Sequence, residues 1–217
     1  MSQENITTEV EAKYWAPSID VSDYPKSKDI EQGYFDLNNL DPSVKEFFLS
    51  KFTDINLDKY VEARLRNKGG KYFLTLKGDG TLERPEAEEE ISEDEFTQFW
   101  PQTSAGNVQK TRHEKTLVEG KLKDGGLTLE TDVYREKLTG LFSAEIEYNP
   151  NLYTPEEIDQ KIQEQIPGAI NVTNVKALKN KRLAAYKNMD ELREALLEDK
   201  EAVAIFSRGE IEKLFDA

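Results

Sequence analysis

Three residues near the amino terminus, Glu9, Glu11 and Lys13, alternate with Val10, Ala12 and Tyr14. On a β-strand this spacing puts two carboxylates and an ammonium on one face, a set able to hold a divalent metal beside a phosphate. The habit recurs along the chain. Glu62, Arg64 and Arg66 alternate with Val61, Ala63 and Leu65, and Phe73, Thr75 and Lys77 alternate with Tyr72, Leu74 and Leu76. Arg84, Glu86, Glu88 and Glu90 oppose Ala87 and Ile91, and Lys110 shares a face with Arg112. Glu130 and Asp132 oppose Leu127, Leu129 and Val133, while Ser143, Glu145 and Glu147 oppose Phe142, Ala144, Ile146 and Tyr148.

Such faces are either the wet side of a sheet packed on helices or the lining of a lumen. Acids dominate the first and last strand candidates and bases the middle ones, which suits an anion held between cations and metals. In a lumen, Glu9, Glu11, Glu145 and Glu147 supply hard oxygen ligands, with Glu130 and Asp132 as further ligands or outer partners. Lys13, Arg64, Arg66, Lys77, Arg84, Lys110 and Arg112 then clamp phosphate oxygens. With one histidine, His113, and no cysteine, a metal site must use carboxylates, which favours Mg²⁺ or Mn²⁺ over zinc. Arg112, Glu114 and Lys115 around His113 form no nucleophile motif, and as a strand neighbour of Arg112 the histidine belongs on the outer surface.

The elements that must position these groups are legible in outline. The chain has 217 residues, of which 37% are hydrophobic and 33% charged, with a formal net charge of -14. That suffices for a core and argues against nucleic-acid or anionic-membrane partners. The first residues lack a signal-peptide pattern and no apolar run approaches a membrane span, so a cytoplasmic location is expected. Strand candidates fall at 9–14, 30–37, 61–66, 71–77, 84–91, 108–114, 116–121, 127–134 and 142–148, nine stretches that amount to roughly eight strands, enough for an antiparallel sheet to close into a barrel. Lys68-Gly69-Gly70 marks a hairpin and Asp124-Gly125-Gly126 a turn. Asp41-Pro42, Ser92-x-x-Glu95, Thr154-Pro155 and Asn188 or Asp190 mark helix starts. Trp15, Trp100, Tyr14 and Tyr34 are expected to pack rather than bind substrate.

Those residues carry a family resemblance. Glu9-Val10-Glu11-Ala12-Lys13 resembles the Glu-x-Glu-x-Lys motif of the CYTH superfamily, the triphosphate tunnel metalloenzymes. Ala63-Arg64-Leu65-Arg66 and Phe73-Leu74-Thr75-Leu76-Lys77-Gly78 resemble its Arg-x-Arg and Thr-x-Lys strands, and Arg84-Pro85-Glu86-Ala87-Glu88 its Arg-x-Glu-x-Glu strand. Lys110-Thr111-Arg112, Glu130-Thr131-Asp132-Val133-Tyr134 and Ala144-Glu145-Ile146-Glu147 resemble the remaining elements in order. Asn171-Val172-Thr173, Lys179-Asn180 and Leu183-Ala184 are similar to the tail of compact bacterial members, although Asn174 and Leu178 stand where an acid and an aromatic are expected. The insertion around 38–58 is longer than the resemblance leads one to expect.

The resemblance implies an α+β chain forming one tunnel domain over 1–217. An eight-stranded antiparallel β-barrel occupies mainly residues 6–148, with flanking helices and a helical segment over 152–217. It implies Mg²⁺- or Mn²⁺-dependent hydrolysis of inorganic triphosphate to pyrophosphate and phosphate, with a small-molecule substrate and a monomer or homodimer. Glu9, Glu11, Glu145 and Glu147 are then metal ligands. Lys13, Arg64, Arg66, Lys77, Arg84, Lys110 and Arg112 bind phosphate. Lys179 adds a tail contact, with Lys176 and Lys181 as rivals. Glu86, Glu88, Glu130 and Asp132 bind a second metal or orient the water. A class IV-type adenylyl cyclase would need a base pocket, for which no aromatic cluster stands out. A noncatalytic polyphosphate-binding module would not need paired metal carboxylates.

Overall fold

The structure is a computed structural model that describes residues 10–16, 18–52, 55–79, 86–213 and 215. One antiparallel sheet dominates it. Its strands are β1 (Val10–Trp15), β2 (Lys26–Tyr34), β3 (Tyr60–Lys68), β4 (Lys71–Gly78), β5 (Glu86–Ile91), β6 (Asn107–Val118), β7 (Leu127–Tyr134), β8 (Phe142–Tyr148) and the two-residue β9 (Ile170–Asn171). Their spatial order is β5-β4-β3-β2-β6-β7-β8-β1-β9.

Among the described residues the count is therefore nine, and no ladder there joins β5 to β1 or β9, so the expected barrel is a curled sheet rather than a closed ring of hydrogen bonds. The candidates at 108–114 and 116–121 form the single strand β6, which continues through a register shift between Thr116 and Val118. That bulge lets the chain keep pairing where the alternation breaks. β2 begins earlier and ends earlier than the expected 30–37. The β3–β4 hairpin turns at Gly69 and Gly70, both at positive φ (61° and 85°), with Lys68 paired to Lys71. A two-residue turn of this kind needs left-handed backbone at both positions, which glycine supplies without a Cβ clash.

Register decides which way the side chains point. The ladders pair Lys13 with Glu145, Glu130 with Glu145, Arg112 with Asp132, Lys28 with Arg112, Gln32 with Arg66, Arg64 with Thr75 and Thr75 with Glu88. Directly paired residues share a face, so one face of the whole sheet carries the charge. Lys68 on β3 feels the charge of Glu130 on β7 across the intervening β2 and β6, which marks that face as the concave one.

The opposite face is apolar and covered by helices. Ala63, Leu65, Leu74 and Leu76 pack against Val44, Phe47 and Phe48 of α1 (Pro42–Lys51) and Phe96 and Phe99 of α2 (Glu93–Phe99). Leu65, Leu74 and Leu76 are fully buried, each worth roughly 2 kcal/mol against exposure. The insertion at 38–58 thus supplies α1, which covers the outside of the sheet. Ala12, Tyr14, Ala144 and Ile146 pack against Ile158 and Ile162 of α3 (Pro155–Gln165). Asp41, Ser92 and Thr154 cap these helices as their sequence positions suggest, the last two as reciprocal capping boxes. His113 lies on the outer side, edge-on to Tyr24 at 6.2 Å between ring centres.

The chain then returns as α4 (Asn180–Ala185), α5 (Met189–Glu198), α6 (Lys200–Ile205) and α7 (Arg208–Lys213). Trp15, Tyr34, Val108 and Tyr134, all on the charged face, are buried in one apolar cluster with Val172, Val175, Leu178 and Leu183. This tail therefore stops one end of the concavity. Among the described residues no helix is long and apolar enough to cross a membrane.

Candidate functional site

Strand alternation and register bring Glu11, Lys13, Arg64, Arg66, Lys77, Glu86, Glu88, Lys110, Arg112, Glu130, Asp132, Glu145 and Glu147 to the concave face. Glu9 and Arg84 lie outside the described residues. Lys179 is exposed at the start of α4. Its neighbour Asn180 accepts a hydrogen bond from the Tyr134 hydroxyl at 2.9 Å, so this part of the tail adjoins the closed end.

At the centre the charges are buried and paired. Arg112 donates from Nε to Asp132 Oδ1 and from one terminal nitrogen to Asp132 Oδ2, both at 2.7 Å. The same terminal nitrogen reaches Glu145 Oε2 at 2.6 Å, and the other meets Glu130. Lys13 donates to Glu145 Oε1 at 2.9 Å, and Lys110 pairs with Asp132. A planar fork serving three carboxylates is a task for arginine rather than lysine. Removing one partner from such a buried network would strand a charge.

The two buried lysines differ in a telling way. Burial opposes the charge on Lys13, but the facing Glu145 carboxylate overrides it and raises the pKa above the ordinary lysine value. Lys110 must share Asp132 with Arg112. Burial and then the guanidinium push it down to about 8, against the pull of Asp132. Burial also opposes ionisation of Asp132 and Glu145, yet Arg112 and Lys110 hold Asp132 below its ordinary value, and Lys13, Lys110 and Arg112 hold Glu145 well below.

The β3–β4–β5 side is arranged differently. Arg66 pairs with Glu88 Oε2 at 2.8 Å, the same oxygen that accepts from the Thr75 hydroxyl at 2.7 Å, and Lys77 pairs with Glu86 at 2.8 Å. Among the described residues, the Nε atoms of Arg64 and Arg66 are buried without a hydrogen-bond partner. An unmet buried donor costs about 1–3 kcal/mol, and two on one cationic face point to an acceptor from outside the chain. Burial lowers the pKa of Arg66, and the neighbouring Arg64 adds to it, so an anion would relieve both effects.

Glu11, Glu130, Glu145 and Glu147 line one pocket of about 120 Å³ together with Gly120, Leu122, Gly126 and Thr128. These are hard oxygen donors of the kind Mg²⁺ and Mn²⁺ take. Among the described residues no three carboxylate or imidazole groups converge closely enough to form a metal cage by themselves. Both oxygens of Glu145 are already engaged by Lys13 and Arg112. The donor chemistry therefore fits a divalent ion whose coordination is completed by water or phosphate.

Several residues of the concave face carry no motif and were not expected at the site. Gln32 is buried and donates to the Tyr34 hydroxyl at 2.8 Å, Lys28 pairs with Glu114 at 2.9 Å, and Lys68 is half-buried near Arg66 and Arg112. Lys28 alternates with Lys26 and Ile30, and Lys68 extends the Arg64, Arg66 series by one step. That periodicity was the only sequence signal for them.

No protein-family model matches the chain. Over 88 residues, 41% of its length, it is 42% identical to an inorganic triphosphatase of Nitrosomonas europaea, and the matched stretch spans 54% of that relative, about half. Among solved structures it is 30% identical to one described as the hypothetical protein NE1496, with a TM-score of 0.52 over 83% of this chain and 99% of that one. A structure of the inorganic triphosphatase NE1496 is 27% identical, with a TM-score of 0.50 over 85% and 99% of the two chains.

Proposed function

Because this chain belongs to the CYTH superfamily of triphosphate tunnel metalloenzymes, we propose that it hydrolyses inorganic triphosphate to pyrophosphate and phosphate on the concave face of its sheet. The observation that carries this reading is the pair of buried, unpartnered Nε donors on Arg64 and Arg66, on the same face as a pocket lined by four glutamates. A cationic wall with unmet donors and an anionic wall with hard oxygens are complementary to a metal-bound polyanion.

In this reading Arg64, Arg66, Lys77, Arg84, Lys110, Arg112 and Lys13 grip the phosphate chain, and Lys179 approaches from the tail. Glu11, Glu145 and Glu147, with Glu9, would hold Mg²⁺ or Mn²⁺, which when bound supplies positive charge to the phosphoryl oxygens. The protein's own share is positioning and electrostatics. Thr75 and Arg66 fix Glu88, and Lys77 fixes Glu86, which orients the cationic wall. Glu130, partly exposed in the pocket, would orient the attacking water, and Asp132, paired with Arg112 and Lys110, would hold both in line. One water is consumed, the terminal P–O–P bond breaks, and phosphate leaves with pyrophosphate.

The test is release of phosphate and pyrophosphate from tripolyphosphate, run beside ATP with Mg²⁺, with Mn²⁺ and with chelator. Chelator-sensitive cleavage of tripolyphosphate well above ATP is expected. Cyclic AMP formed from ATP without phosphate release would replace this reading with a cyclase. No turnover of either compound would replace it with a binding module.

A further inference from the structure

Lys68 is the one half-buried lysine of the concave face whose ammonium has neither a hydrogen bond nor an ion pair among the described residues. It ends β3, two residues beyond Arg66 and four beyond Arg64, on the same face. At about 3.3 Å per residue the three cations extend over roughly 13 Å, longer than a triphosphate needs. Across from Lys68 stand Arg112, Glu130 and Lys28, and Glu114 feels both Lys28 and Lys68. Lys28 is bound through two hydrogen bonds to Glu114, at 2.9 and 3.2 Å, and an ammonium has three donors.

The closed end, where Trp15, Tyr34, Val108 and Tyr134 meet the tail, lies at the other limit of these strands. Lys28 lies near the start of β2, two residues before Ile30, which pairs with Lys68 at the end of the antiparallel β3, so both lysines sit toward the open mouth. We propose that Lys68, with Lys28, forms an anion subsite at that mouth which holds a further phosphoryl group, so that the concavity accepts linear polyphosphates longer than three units. An ammonium kept half out of water beside Arg66, Arg112 and Lys28, with the nearby Glu130 and Glu114 already paired to Arg112 and Lys28, is electrostatically unsatisfied, and an added phosphate satisfies it. A neutral sugar or base extending from a triphosphate does not.

The inference rests on the function proposed above, and binding measurements separate the two. Titration calorimetry on the full chain, with chelator present so that nothing turns over, compares tripolyphosphate with tetrapolyphosphate. The longer chain is expected to bind about tenfold more tightly, the factor one charge-assisted hydrogen bond supplies. Lys68→Gln should remove that difference while leaving tripolyphosphate affinity within about twofold, and Lys28→Gln should reduce it. Equal affinities for the two chains in the unsubstituted protein would overturn the mouth subsite and leave the triphosphatase reading standing. So would an equal loss for both chains in Lys68→Gln, which would put Lys68 in the triphosphate clamp. Failure to bind either chain would overturn the triphosphatase reading, and the subsite with it.

Discussion

Arg66 is held by Glu88 from one side and leaves its buried Nε unmet on the other, so its guanidinium is oriented without being saturated. Truncation to alanine removes a charge-assisted contact of about 1.5–3 kcal/mol, and KM for tripolyphosphate should rise by about 10- to 100-fold with a smaller change in kcat. Unchanged KM would place the side chain outside the substrate path. Glu11 presents the opposite case, an exposed carboxylate on the pocket wall that packs nothing. Glu11→Ala should leave thermal stability as it is and cut metal-dependent turnover at least about 100-fold at fixed metal; an undiminished rate would remove Glu11 from the metal site. Lys110 makes the pH behaviour specific, because its pKa is pushed down to about 8. On the proposed function it would face the substrate as a cation below that pH, and above it the charge is lost. Affinity for tripolyphosphate should therefore fall as pH rises through 8, and Lys110→Met should flatten that fall in a calorimetric titration. Stability runs the other way. Between about 8 and the ordinary 10.5 the unfolded chain holds a proton that the folded one has lost, so the cost this lysine imposes on folding shrinks as pH rises.

At the scale of elements, the sheet is turned inside out relative to a common sandwich, with its charge on the concave side and its apolar side under α1, α2 and α3. Phe48 is fully buried in that outer layer and meets Phe35 edge-on at 5.1 Å between ring centres. Phe48→Ala should cost about 3–5 kcal/mol in a denaturant titration, while the molecules that remain folded keep their activity, because nothing of α1 enters the concave face. A large loss of kcat per folded molecule would show that α1 sets the shape of the site. The helix starts at Asp41, Ser92, Thr154 and Asn188 were legible because a cap is written in adjacent residues. The alternation in β3, β4 and β8 was legible for the same local reason. The pairing of Glu145 with Lys13 and Arg112 was not, because it depends on β8 lying between β1 and β7, a fact of register that no local pattern carries. β6 reads as two strands because its bulge breaks the alternation, and Lys68 carries no motif because the charges around it come from strands far along the chain.

Over the whole molecule the tail matters as much as the sheet, since it buries Trp15, Tyr34 and Tyr134 at one end of the charged face and leaves the other end as the way in. Its backbone comes close to the turn before β6 at Gly106, which has φ of 103° and whose added Cβ would fall 2.2 Å from the carbonyl oxygen of Ala184. The same carbonyl accepts a hydrogen bond from Lys137 Nζ at 2.6 Å, so α4 is fastened at this point from two sides. Gly106→Ala combines a left-handed backbone that alanine adopts only under strain with a collision against backbone that cannot rotate away. The strain alone costs about 1–2 kcal/mol, and the collision must be relieved by moving the tail. Hydrogen exchange should accelerate over residues 177–206, and the melting temperature should fall. Lys137→Met breaks only the hydrogen bond to the same carbonyl, a loss of about 1 kcal/mol, and should give a weaker form of the same exchange pattern. If Gly106→Ala lowers stability while exchange in the tail stays as it was, the strain is absorbed within the turn before β6, and the docking of α4 does not depend on this contact.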